Sequence, residues 1–216
     1  MKPSIRADRP IERAAAEDNE PVTRGLDELD RGEWLLSMSS WVIQDGNYSD
    51  FAVGEPRRFA LEFFDKTLRE VEPGVRSAEA LVEARHEITA EVVYARDDLV
   101  MLDFGLLAYS DARAPAAKTG TWRSGIVLLE VDHFAYFETH AKREGIPPAV
   151  YAWTITGIWR QTAPYILDPR LNMYVRDPAR LGYAPLERTD AWHDDDGHAE
   201  YLFRCRLESD PPTFRP

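Results

Sequence analysis

Apolar and polar side chains alternate at period two in at least six stretches of this 216-residue chain. Phe59-Ala60-Leu61-Glu62-Phe63 is one such stretch, and Tyr201-Leu202-Phe203-Arg204-Cys205-Arg206-Leu207 is another. Successive side chains on a strand point to opposite faces, so each stretch reads as a strand with one face in a core. The pattern predicts an all-β, mainly antiparallel domain of six to eight strands over residues 34–208. We expect a closed or partly open barrel, OB-like or related, with a β-sandwich as the alternative. Three features favour the barrel. The apolar phase switches at Ser39-Ser40, as at a β-bulge; Gly105 interrupts a strand; and short hairpins mix with long excursions.

Trp34, Leu36 and Met38 share one face of the first strand, and Trp41 and Ile43 continue in the opposite phase. Asp45-Gly46-Asn47 and Val53-Gly54-Glu55-Pro56 are turns, the second leading into a strand from Arg57 to Phe64. Ser77 caps a short helix running to Arg85. His86 to Tyr94 and Leu99 to Tyr109 form a hairpin across Arg96-Asp97-Asp98. Trp122 to Phe134, Tyr151 to Trp159 and Ala199 to Leu207 are the later strands. Residues 160–190 read as a long irregular excursion, residues 1–33 as a flexible or partner-bound arm, and 209–216 as a tail.

Composition narrows the function classes. The formal net charge of -12 opposes binding to a phosphate backbone and suits a basic partner or a cation. A lone cysteine, Cys205, excludes an internal disulfide and a multi-cysteine zinc site, and its place on an apolar strand face reads as packing. No apolar run approaches the ~20 residues of a membrane helix, and residues 1–13 lack the apolar segment of a secretory signal. A cytoplasmic protein without a membrane segment is the resulting expectation.

Chemistry has three places to reside. His193, Asp194, Asp196 and His198 lie within one acidic hexapeptide, and imidazole and carboxylate ligands suit a divalent metal. The competing reading is a solvated turn, since Asp-Asp-Gly is turn chemistry; removing its charges would then leave stability level or slightly raised. Asp132-His133, with Glu138 and His140 downstream, can supply a general base or a metal site, but no oriented nucleophile accompanies them. Trp122, Arg123, Trp153, Trp159 and Arg160 can stack bases or sugars if they line a groove; at period two the same residues are core. No catalytic set and no phosphate-binding glycine loop occurs. We therefore expect a non-enzymatic acidic binding protein acting through protein–protein contact, of accessory, inhibitor or immunity type. A metal-dependent hydrolase using His193–His198 and an oligonucleotide- or glycan-binding barrel are the other two readings.

Overall fold

The structure is a computed structural model that describes residues 29–30, 32–96, 98–111, 117–170 and 172–209. The arm up to residue 28 and the tail from 210 fall outside the described residues. The strands are β1 (Glu33–Ser39), β2 (Pro56–Phe59), β3 (Leu61–Asp65), β4 (Arg69–Val71), β5 (Ser77–Ala80), β6 (Arg85–Arg96) and β7 (Leu99–Asp103). They continue as β8 (Leu107–Ser110), β9 (Trp122–Val131), β10 (Tyr151–Gln161), β11 (Tyr165–Asp168), β12 (Met173–Arg176), β13 (Tyr183–Leu186) and β14 (Glu200–Ser209). One short helix, α1 (Ser40–Gln44), follows β1, and a π-helical turn at Tyr136–His140 follows β9.

Five strands close a barrel. β6, β7 and β8 form an antiparallel meander, β8 meets β3 in parallel, β3 pairs with β9, and β9 returns to β6. Closure removes the unpaired edges that an open sheet would expose. Further strands stand outside the ring: β14 lies between β1 and β10, and β10 carries β2 and β13 on its other side. A single parallel bridge, Ser37 to Glu130, joins this group to the barrel. The all-β barrel read from the alternation is the fold the chain adopts. Strands outnumber the six to eight expected because two predicted strands are split and short strands are added.

Each split has a local cause. The stretch from Arg57 to Phe64 breaks at Ala60: β2 pairs with β10, whereas β3 pairs with β9 and β8. Leu99 to Tyr109 breaks at Gly105, whose φ of 107° lets β7 double back on β8 instead of bending. The phase switch after Ser39 is a helical turn and not a bulge. Ser77 starts the edge strand β5 and not a helix, because pairing with β6 outweighs a weak capping preference.

The main core fills the barrel and continues under β1, β10 and β14, joining Leu61, Phe63, Leu129, Val131, Trp153 and Phe203. A second cluster lies on the barrel's other face, where Leu99, Met101 and Tyr109 are covered by Tyr136 and Ala149 of the β9–β10 connection. Cys205 is buried among core residues, and burial pushes its thiol pKa up, which suits packing. Among the described residues no helix is long and apolar enough to cross a membrane.

Candidate functional site

Where β9 ends, the chain departs from regular structure. The Asp132 backbone N still bonds to the Ala60 carbonyl at 3.1 Å. Phe134 then adopts φ 79°, a left-handed conformation that is costly for a bulky side chain. The π-helical turn comes next, a form that recurs at functional sites. Asp132 is tied to its first residue: Oδ1 accepts from the Tyr136 backbone N at 3.3 Å and from the Tyr109 hydroxyl. The carboxylate is fully buried, and Oδ2 has no partner among the described residues. Burial raises its pKa, against the pull of the Tyr109 and Tyr136 hydrogen bonds. The nearby Tyr48 hydroxyl is also buried without a partner among the described residues, and burial and then Asp132 raise its pKa.

His133 points elsewhere. Its Nδ1 lies 2.8 Å from Glu62 Oε2, and its ring stands 5.8 Å from the Trp41 ring of α1. Glu62 is opposite Tyr109 on β8 and Glu130 on β9, so a polar row crosses the barrel's apolar sheet. Burial pushes the Glu62 carboxyl up to about 7, although His133 pulls it down. An ionised Glu62 makes Nδ1 the donor and leaves Nε2 as the acceptor, which is the geometry of an oriented general base. Among the described residues no hydroxyl or thiol is hydrogen-bonded to His133, so no nucleophile is activated there.

The four residues of the second sequence suspect do not converge. Asp132 serves Tyr109 and Tyr136, while His133 serves Glu62. Glu138 is exposed, and His140 is buried against the Tyr109 ring at 5.7 Å. Burial lowers the His140 pKa, and Arg143 adds to that. Sequence reasoning missed Glu62, Tyr109 and Tyr48. Glu62 carried a faint signal, a carboxylate flanked by Leu61, Phe63 and Phe64, but alternation assigned it to the solvent face.

The acidic hexapeptide is an ordered clasp. Asp194 Oδ2 accepts from Tyr201 Oη at 2.9 Å and from the Asp190 backbone N at 2.8 Å, and Oδ1 faces Arg160 at 3.5 Å. Asp195 pairs with Arg176, and His193 Nδ1 lies 2.8 Å from Asp190. Asp195 and Asp196 both take left-handed φ values, 51° and 55°. From α1, Gln44 Nε2 donates to the Ala191 and Gly197 carbonyls at 2.6 and 2.8 Å, and Ser40 Oγ donates to the Gly197 carbonyl at 2.9 Å. His193, Asp194, Asp196 and His198 thus do not gather as ligands, and among the described residues no three His, Cys, Asp or Glu side chains could hold a metal ion. The physical reason is that nearby arginines and hydroxyls already engage the carboxylates of Asp194 and Asp195.

The five aromatic and arginine residues lie as follows. Trp153 is 0% exposed and stacks on Phe59 at 5.4 Å, and Trp159 is buried beside Leu35, Ala84 and Leu202. Trp122 is half-buried, Arg123 faces Glu70 at 3.4 Å, and Arg160 faces Asp194. Trp153 and Trp159 belong to different core clusters, so the two do not form one stacking face.

The exposed aromatics lie around the clasp instead. Trp41 of α1 is 51% exposed and Trp192 is 65% exposed. β11 and β12 form their own two-stranded ribbon, which exposes Tyr165, Leu167 and Met173. Arg176 fastens the ribbon to the clasp: it pairs with Asp195, donates to the Ala163 carbonyl at 2.8 Å, and lies 4.1 Å from the centre of the Tyr165 ring. Ribbon, clasp and α1 are therefore linked by side-chain bonds. The sequence signal for the ribbon was the set of isolated apolar residues within 160–190. Comparison with protein-family models, curated proteins and solved structures finds no match.

Proposed function

We propose that this chain is a non-enzymatic binding protein acting through protein contact, with the β11–β12 ribbon and the adjoining acidic clasp as its contact surface. The observation that carries this reading is the exposure of Tyr165, Leu167 and Met173 on a two-stranded ribbon outside the main sheet. A lone two-stranded ribbon is marginal in water, and its register sets Tyr165 and Leu167 together on one face with Met173 on the other, apolar exposure of the kind that marks contact surfaces. The clasp beside it adds exposed Asp190 and Asp196 close in sequence to exposed Trp192, so the complementary partner has an apolar centre and a basic rim.

The test immobilises the full chain and, in parallel, a Leu167→Glu/Trp192→Ala variant, then exposes both to lysate at low and moderate salt. We expect one partner to cross-link to residues 165–176 or 190–198, to be lost from the variant, and to weaken as salt rises. A chain that retains nothing at either salt, or a partner held equally by the variant, overturns the reading.

A further inference from the structure

A cavity of about 610 Å³ opens between β2 and the β9–β10 connection, away from the ribbon, since β2 flanks the start of β10 and the ribbon follows its end. Its volume falls in the range of small-molecule sites, roughly 300–1,000 Å³. Phe137, Ile146, Pro148 and Val150 supply apolar walls, and Tyr136 contributes its ring. The connection is held open by fixed bonds and not by loose packing: Tyr136 Oη donates to the Pro147 carbonyl at 2.5 Å and accepts from the Ala149 backbone N at 3.0 Å. Phe137 is set by stacking on Phe134 at 4.9 Å.

The rim is cationic in a chain whose net charge is -12. Arg58 and Lys142 stand there, and among the described residues neither makes an ion pair. Arg143 is occupied by Asp98 at 3.0 Å, and Glu144 is the rim's own carboxylate. A bare inorganic anion would meet the repulsion of the whole molecule. An apolar body placed against the walls offsets that repulsion, and the carboxylate then reaches Arg58 and Lys142.

We propose that this cavity binds one small organic carboxylate with an apolar body, of the acyl or aryl class, its carboxylate at Arg58 and Lys142. Calorimetry of the full chain with decanoate, decan-1-ol and decylammonium tests it, alongside sedimentation with vesicles of neutral or anionic phospholipid. Decanoate is expected to bind one per chain, and decanol roughly tenfold more weakly, in keeping with two solvent-accessible ion contacts. Arg58→Glu/Lys142→Glu changes two surface side chains, so its melting temperature should match the parent, while decanoate affinity falls by a similar factor and decylammonium binding rises. Ala141→Trp, which fills the cavity, should abolish binding of all three. Equal affinity for decanoate and decanol, decanoate binding unaffected by the charge reversal, or association with anionic vesicles without decanoate binding would each overturn the proposal.

Discussion

Glu62 is the residue whose environment departs furthest from its sequence reading. Its carboxyl has a folded pKa raised to about 7 from an ordinary 4.5, chiefly because it is buried. The folded chain therefore binds more protons than the unfolded chain between those values. The contribution is fully present below the unfolded pKa and is lost as pH rises through the folded one. His86 acts in the opposite direction: burial lowers its pKa to about 4, so its contribution grows as pH rises. Glu62→Gln isolates the first effect. The difference in stability between parent and variant should shift steadily in the variant's favour from pH 4.5 to 7; parallel profiles in urea titrations across that range would show that Glu62 is not desolvated. Phe59 and Phe203 belong to the same scale. Both are fully buried, Phe59 on Trp153 and Phe203 at 5.1 Å from Phe51. Each alanine substitution should cost ~3–5 kcal/mol by urea unfolding, and an unchanged melting temperature in both would mean the strand phases are wrong.

Among the elements, β9 carries the sharpest constraint. β3 pairs with it up to Val127 and β4 resumes at Ser124, so β3 gives way to β4 opposite Gly125. A Cβ at Gly125 would sit 2.6 Å from the Thr67 carbonyl oxygen, and its φ of 151° is itself unfavourable for other residues. Gly125→Ala should destabilise by roughly 1–3 kcal/mol. Gly74→Ala is the control, because its nearest contact would be an ordinary 3.9 Å; equal melting temperatures for the two variants would count against the close approach of Thr67 to Gly125. The acidic clasp reverses an expectation. As a free turn, it would hold or gain stability when Asp194, Asp195 and Asp196 become asparagine. With Asp194 bonded to Tyr201 and Arg160, and Asp195 to Arg176, the triple change should instead cost ~1–2 kcal/mol. That loss should be the same with chelator or with added zinc. A drop that appears only when metal is supplied would assign a cation to the clasp.

For the whole molecule, a charge of -12 imposes self-repulsion that salt screens. Raising salt from low to moderate should therefore raise the melting temperature of the free chain while weakening its hold on a basic partner. Opposite signs for the two readouts are the signature of an acidic contact surface. A partner whose affinity ignores salt would be bound through the apolar ribbon alone.

Period-two alternation determined the class of fold and the faces of β14, because strand geometry places alternate side chains on opposite sides whatever lies beyond them; in β6 and β10 it holds only up to the register shifts at Val92/Tyr94 and Ile155/Gly157, past which Tyr94 and Trp159 join other clusters. It could not determine which faces are covered. Glu62 looked solvent-facing until the β9–β10 connection folded over that side of the barrel, and Trp153 and Trp159 looked available until neighbouring elements enclosed them. The break at Ala60 was equally invisible, since the alternation of Phe59, Leu61 and Phe63 runs through it and only their different partners separate the two halves. The His193–His198 cluster was legible as a group of polar residues, but Arg160, Arg176, Tyr201 and Gln44, elsewhere in the sequence, decided what its carboxylates and carbonyls bind. Local pattern is set by the backbone's own period; burial and pairing are set by what the rest of the chain brings alongside.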